Sequence, residues 1–150
     1  MVEQGPEPKM PPIGDTVPDG ERPAEPTLAP GIERRDEFVV EGALVTDVGG
    51  TIGTSVLSTP GMIAMMERCS SVLAYGHLPQ GRATVGFEVC VKHVSAALSG
   101  ATCAVRSVLT EVVDNRKLRF EVEVTEGGRT IGLGTHERRT IDTNQLAPQP

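Results

Sequence analysis

The stretch TPGMIAMMERCSSVLAYG, Thr59 to Gly76, decides how this chain folds. Met62, Met66, Cys69 and Leu73 recur at i, i+4, i+7 and i+11, which gathers apolar side chains on one face of a helix. Thr59 has the chemistry of an N-cap, and Pro60 suits the first helical position, where its missing N–H matters least. Gly76 supplies a terminator. No other stretch reads convincingly as a helix. Upstream, Asp47 to Ser58 is rich in Gly, Thr and Ser and reads as a loop, preceded by a strand over Glu37 to Val45. Downstream, four strands are expected: Thr84 to His93, Ala101 to Val113, Leu118 to Val124 and Arg129 to Ile141. Asp114-Asn115 and Glu126-Gly127-Gly128 are turn signals between them. Short connections imply antiparallel neighbours. One helix and about five strands predict an α+β domain with the sheet wrapped on the helix. One helix cannot cover both the sheet and its edges, so a homodimer is expected.

The ends read differently. Residues 1–30 hold eight of the 12 prolines, six acids and two bases, and few large apolar side chains. Such a segment buries too little surface to offset its ordering entropy and is expected to be a disordered acidic tail. The domain is placed at residues 31–144, with 145–150 a second loose tail. With 3% aromatic residues and a net charge of −6, the chain does not suit a nucleic acid or an anionic membrane surface. No apolar run approaches the length of a membrane span. Cys69, Cys90 and Cys103 form no CxxC pair, so neither a disulfide framework nor a structural metal is expected. They read as packed, reduced thiols of a soluble cytoplasmic protein.

Five positions stand out chemically. Glu67 lies mid-helix beside the apolar face, either half-buried or as an ordinary solvated acid paired with a cation. His93 shares parity with Val85, Phe87, Val89 and Val91, and so continues the inward face of its strand, unless it is simply a strand-end histidine in water. Thr59, two helical turns before Glu67, needs no role beyond capping. A hydroxyl at a helix start nevertheless sits where backbone N–H groups favour negative charge. Gly86 interrupts an apolar strand, which marks either a bulge or the close approach of a ligand. Arg138 belongs to Gly134–Arg139, whose charges otherwise read as a solvated strand end. His77 and His136 are less placed: the first reads as loop, and the second is opposite in parity to Ile131 and Leu133.

TPGMIAMMERCS (59–70), TVGFEVCVKHVSAALSG (84–100) and IGLGTHERRTI (131–141) together resemble the hotdog-fold thioesterases of the fluoroacetyl-CoA thioesterase-like family. The likeness covers roughly the C-terminal two thirds of the chain, and the GTHER core is its most specific string. It implies a hotdog fold: one long central helix wrapped by a mostly antiparallel sheet. It also implies a Thr59–Glu67–His93 catalytic site, with Gly86 beside the thioester and Arg138 at the substrate site. No cofactor or metal is implied. The implied reaction is hydrolysis of an acyl-CoA or acyl-carrier thioester to free acid and thiol. In that reaction Glu67 attacks the carbonyl or activates water, Thr59 orients it, and His93 is general acid/base. The site is expected to be shared between two chains of a dimer. The bulky aromatic lid residues of the best-known member of that family have no counterpart in Val48 to Leu57, which lacks Phe, so a different or broader acyl group is expected. A hotdog enoyl-thioester hydratase or dehydratase, and a noncatalytic acyl-thioester binding module, are the other readings.

Overall fold

A computed structural model describes residues 20–146. In chain order it contains β1 (Glu33–Val39), β2 (Val45–Thr46), β3 (Val56–Leu57), α1 (Thr59–Tyr75), β4 (Arg82–His93), β5 (Thr102–Val113), β6 (Lys117–Glu126) and β7 (Arg129–Asp142). Five strands form one antiparallel sheet in the order β1-β5-β6-β7-β4, and β2 and β3 form a short separate hairpin. The sheet packs on α1, which gives the expected α+β architecture. Among the described residues, no helix is long and apolar enough to cross a membrane.

The helix is held by burial of its methionine face. Met62, Met65, Met66 and Cys69 are nearly inaccessible and pack with Phe120, Leu118, Leu109 and Val105 of the sheet. Each such side chain contributes about 1.5–3 kcal/mol, more than a helix cap supplies. The helix comes so close to β7 that a Cβ at Gly132 would collide with the Met62 sulfur. That contact requires glycine for reasons of space alone.

Several expectations shift by a residue or two, with identifiable causes. The N-cap is Ser58, whose hydroxyl accepts from the Gly61 N–H at 2.9 Å, and Thr59 and Pro60 are the first two helical residues. Thr59 is thereby released from capping. Gly76 does close the helix, but with right-handed backbone. The first strand ends at Val39 rather than Val45, because Gly42 turns the chain at φ 58° into a single 3-10 turn. Asp114 and Asn115 take positive φ as the central residues of a tight turn, which the Arg116 N–H closes onto the Val113 carbonyl at 3.0 Å. Cys69 and Cys103 are packed, and burial pushes their thiols up to about 12 and about 11. Cys90 is exposed, because it points away from the helix.

The tail boundary also moves. Residues 1–19 and 147–150, read from composition as tail, lie outside the described residues. Residues 20–30, assigned to the same tail, lie against the domain. Arg22 stacks on the Tyr75 ring at 3.5 Å and donates to the carbonyls of Leu78, Pro79 and Arg82. Thr27 bonds His77 at 2.9 Å. One arginine that meets four groups at the end of α1 anchors a segment whose average composition is too polar to anchor itself.

Ser58→Ala is expected to destabilise the domain by about 1 kcal/mol in a denaturant titration, and Thr59→Ala by clearly less. Equal losses, or a larger loss for Thr59→Ala, would contradict the cap assignment.

Candidate active site

Two bulges set which side chains face the helix. On β4 the ladder slips between Gly86 and Glu88, leaving Phe87 as the extra residue. Thr84 and Gly86 face α1 before the slip, whereas Val91 and His93 do so after it. The single face expected for Val85, Phe87, Val89, Val91 and His93 is therefore split. Val85 and Phe87 point outward, and Phe87 is 61% exposed with its ring under the Arg139 guanidinium at 3.9 Å. On β7 the slip opposite Val124 and Thr125 makes Ile131 the extra residue. Ile131 is buried and Leu133 exposed, so these two do not share a face. From Gly132 onward the alternation is regular, and it turns His136 and Arg138 inward together.

The inward set forms two groups. In the first, the Thr59 hydroxyl lies 2.9 Å from Nδ1 of His93. Nε2 of His93 is buried and has no hydrogen-bond partner among the described residues. Burial lowers the His93 pKa, so the imidazole is neutral at pH 7.

The second group surrounds Glu67. Its side chain is 42% exposed and lies 3.6 Å from Nη1 of Arg138, whose own side chain is only 7% exposed. Three further acceptors hold that guanidinium. Nε donates to the Thr84 hydroxyl at 2.7 Å, Nη2 to the Thr84 carbonyl at 2.9 Å, and Nη1 to Nε2 of His136 at 3.1 Å. Desolvation lowers the Arg138 pKa, and the Glu67 carboxylate opposes that. Gly86 sits directly across from Glu67. A Cβ there would be 2.8 Å from the carboxylate oxygen and 3.7 Å from Nη1 of Arg138.

Within one chain the five expected site residues are thus brought together as a pair and a trio. Thr59 meets His93, and Glu67 meets Gly86 and Arg138. No hydrogen bond joins Glu67 to Thr59 or His93 among the described residues. Two helical turns separate Thr59 from Glu67, roughly 12 Å along the axis. Seven residues of extended chain separate Gly86 from His93, roughly 20 Å. His136 and Thr84 complete the Arg138 cluster, and pattern reading missed both. Thr84 carried no signal. His136 shares parity with Arg138, but its parity is opposite to that of Ile131 and Leu133, and of these Ile131 is the residue displaced by the bulge. The expectation of a solvated Gly134–Arg139 segment is also revised, since Glu137 and Arg138 are both buried.

This fold recurs among solved structures. A point mutant of the fluoroacetyl-CoA-specific thioesterase, crystallised with fluoroacetate and CoA, superposes with a TM-score of 0.72 at 26% identity, covering 80% of this chain and all of that one. A hot-dog-like protein from Thermanaerovibrio acidaminovorans shares the fold at 19% identity and a TM-score of 0.71, covering 78% of this chain and 86% of that one. In sequence, the fluoroacetyl-CoA thioesterase of Streptantibioticus cattleyicolor is 36% identical over 87 residues, 57% of this chain and 61% of that protein. The match therefore spans a little under two thirds of that relative's length. The pattern of the fluoroacetyl-CoA-specific thioesterase family fits residues 39–144. The chain belongs to that family of hotdog proteins.

Gly86→Ala is expected to keep an unfolding midpoint close to that of the unaltered protein, because the atom it displaces ends a flexible side chain. The Glu67–Arg138 contact should open. A denaturation curve and a crystal structure of the variant check both outcomes, and an unmoved carboxylate would refute the close approach of Glu67 to Gly86.

Proposed function

We propose that this protein hydrolyses an acyl-CoA, or an acyl-carrier thioester, to a free acid and a thiol. The observation that carries this reading is the Glu67 carboxylate. It is partly open to solvent, faces the Cβ-free backbone of Gly86, and is held by a buried Arg138 that meets it by charge rather than by a close hydrogen bond. A carboxylate so placed keeps lone pairs for a carbonyl or for water. The gap left by Gly86 accepts a flat thioester group that a side chain would exclude. Thiolate leaves readily, so the chemistry asks only for a nucleophile or base and a proton carrier. A neutral His93 beside Thr59 supplies the latter. Family membership supports the thioester as the bond attacked. The stretch Val48 to Leu57, which holds most of the β2–β3 connection, carries no aromatic side chain, which favours an acyl group other than fluoroacetyl, or a broader range.

The working unit in this reading is a homodimer with composite sites. β4 is a 12-residue edge strand with Val85, Phe87 and Val89 exposed, an edge that an isolated domain does not leave bare. Antiparallel self-pairing centred near Val89 sets His93 of one chain across from Gly86 of the other. Such pairing unites the two groups that one chain holds apart. The three free thiols favour a reducing compartment, the cytoplasm.

Glu67→Gln is expected to lower turnover by roughly 100-fold or more in a thiol-release assay over a panel of acyl-CoAs, with crotonyl-CoA absorbance followed in parallel. Full turnover in the variant, or hydration of the enoyl group without thiol release, would remove the thioesterase reading. Single-turnover hydrolysis in isotopically labelled water then separates the two routes, since only an anhydride leaves label in Glu67. Mixing Glu67→Gln with His93→Ala chains tests the composite site. Random exchange should restore about a quarter of the original turnover if each site draws these residues from different chains. No recovery on verified exchange, or a protein that is monomeric and fully active in sedimentation, would exclude it.

A further inference from the structure

His136 is a buried titratable group that the reaction above leaves unused. It is 1% exposed and lies inside the sheet beside Phe120, with ring centroids 6.3 Å apart. Its two nitrogens have unequal partners. Arg138 can only donate, so Nε2 of His136, 3.1 Å from Nη1, must accept. The Glu88 carbonyl can only accept, so Nδ1, 2.9 Å away, must donate. The ring is therefore neutral and fixed as the Nδ1–H tautomer. An imidazolium would lose the Arg138 bond and place two cations in contact.

One partner meets Glu67 and the other lies two residues from Gly86, which faces it. Nη1 of Arg138 is the nitrogen nearest the carboxylate. Glu88 is the first residue re-entering the ladder after the Phe87 bulge, and Gly86 is the last before it. A bulge leaves one residue outside the ladder, which loosens the local backbone unless a side chain spans it. Here the imidazole and the guanidinium span it together, His136 on the Glu88 carbonyl after the bulge and Arg138 on Thr84 before it. One ring thus sets the separation between the backbone opposite Glu67 and the guanidinium beside it. An ordinary core histidine would satisfy its nitrogens on groups remote from the site.

We propose that His136 is a positioning residue. As a neutral Nδ1–H imidazole, it ties the Arg138 guanidinium to the β4 bulge and so fixes the gap between Glu67 and Gly86. The role rests on the thioesterase reading of that gap. Without the ring, Nη1 loses its second acceptor and swings onto Glu67, and the bulge loses its brace. Substrate still binds, but the carbonyl and the carboxylate no longer meet in register.

Histidine-labelled ¹⁵N NMR of the full chain reads the tautomer directly. An unprotonated Nε2 with a protonated Nδ1 at neutral pH is expected, whereas an Nε2–H tautomer or an imidazolium overturns the proposal. This readout does not depend on any variant folding. His136→Phe keeps the volume and removes both bonds. It should lower kcat by up to about 100-fold, the scale of an ångström's misplacement, with KM changed by less than about threefold. His136→Gln retains an acceptor for Arg138 and should recover part of that loss. A His136→Phe variant with unchanged kcat overturns the proposal, as does a folded His136→Gln no better than it. If the unaltered protein releases no thiol from any acyl-CoA, the thioesterase reading falls and the positioning role falls with it. An active parent with an indifferent His136→Phe removes the positioning role alone.

Discussion

A guanidinium taken out of water must have its donors met, and the arrangement around Arg138 follows from that requirement. Four groups approach it: the hydroxyl and carbonyl of Thr84, the Nε2 of His136 and the carboxylate of Glu67. The first three come from the sheet and are fixed by it. Only the fourth comes from the helix, and it is the only one that stays substantially exposed. A buried ion pair is weak evidence for stability, because desolvation offsets much of its attraction. Its value here is geometric. Arg138 holds a helix carboxylate at a set distance from the strand that carries Gly86.

That geometry depends on where the ladders slip. Without the Phe87 bulge, the alternation of β4 would turn either Gly86 or His93 away from the helix, since they differ in parity. With it, both face inward from one strand. The slip at Ile131 does the matching work on β7, releasing Gly132 to receive Met62 and putting it in phase with His136 and Arg138 on the helix-facing side. Packing and chemistry therefore share one constraint. The same register that buries the methionine seam of α1 also aims the polar cluster.

Length along the elements explains why one chain holds two groups rather than one. A carboxylate two helical turns from Thr59, and a glycine seven strand residues from His93, are separated in the same direction. No local rearrangement closes both distances. The exposed apolar edge of β4 lies between the two groups, which is why the proposed pairing of two chains and the proposed chemistry stand on the same strand. The described strap over residues 20–30 lies at the opposite end of α1, held by Arg22 on Tyr75. It braces the helix C-terminus without reaching Thr59.

Sequence alone determined the elements. The 3.6-residue recurrence of Met62, Met66, Cys69 and Leu73 fixed the helix and its buried face. Alternating apolar residues and turn signals located four of the five sheet strands to within a few residues, because strand propensity and hairpin chemistry are local. The residue types at Thr59, Glu67, Gly86, His93 and Arg138 were legible as unusual for the same reason. Tertiary structure decided what each one touches. Ser58 took the cap because its backbone leaves the hairpin extended, which freed Thr59. Bulges moved Phe87 and Ile131 out of phase, and a bulge is a property of two strands in register, invisible to the periodicity of either. Burial of His136 and the folding-back of Arg22 likewise depend on partners more than fifty residues away or on the far side of a slip. No local pattern encodes such partners.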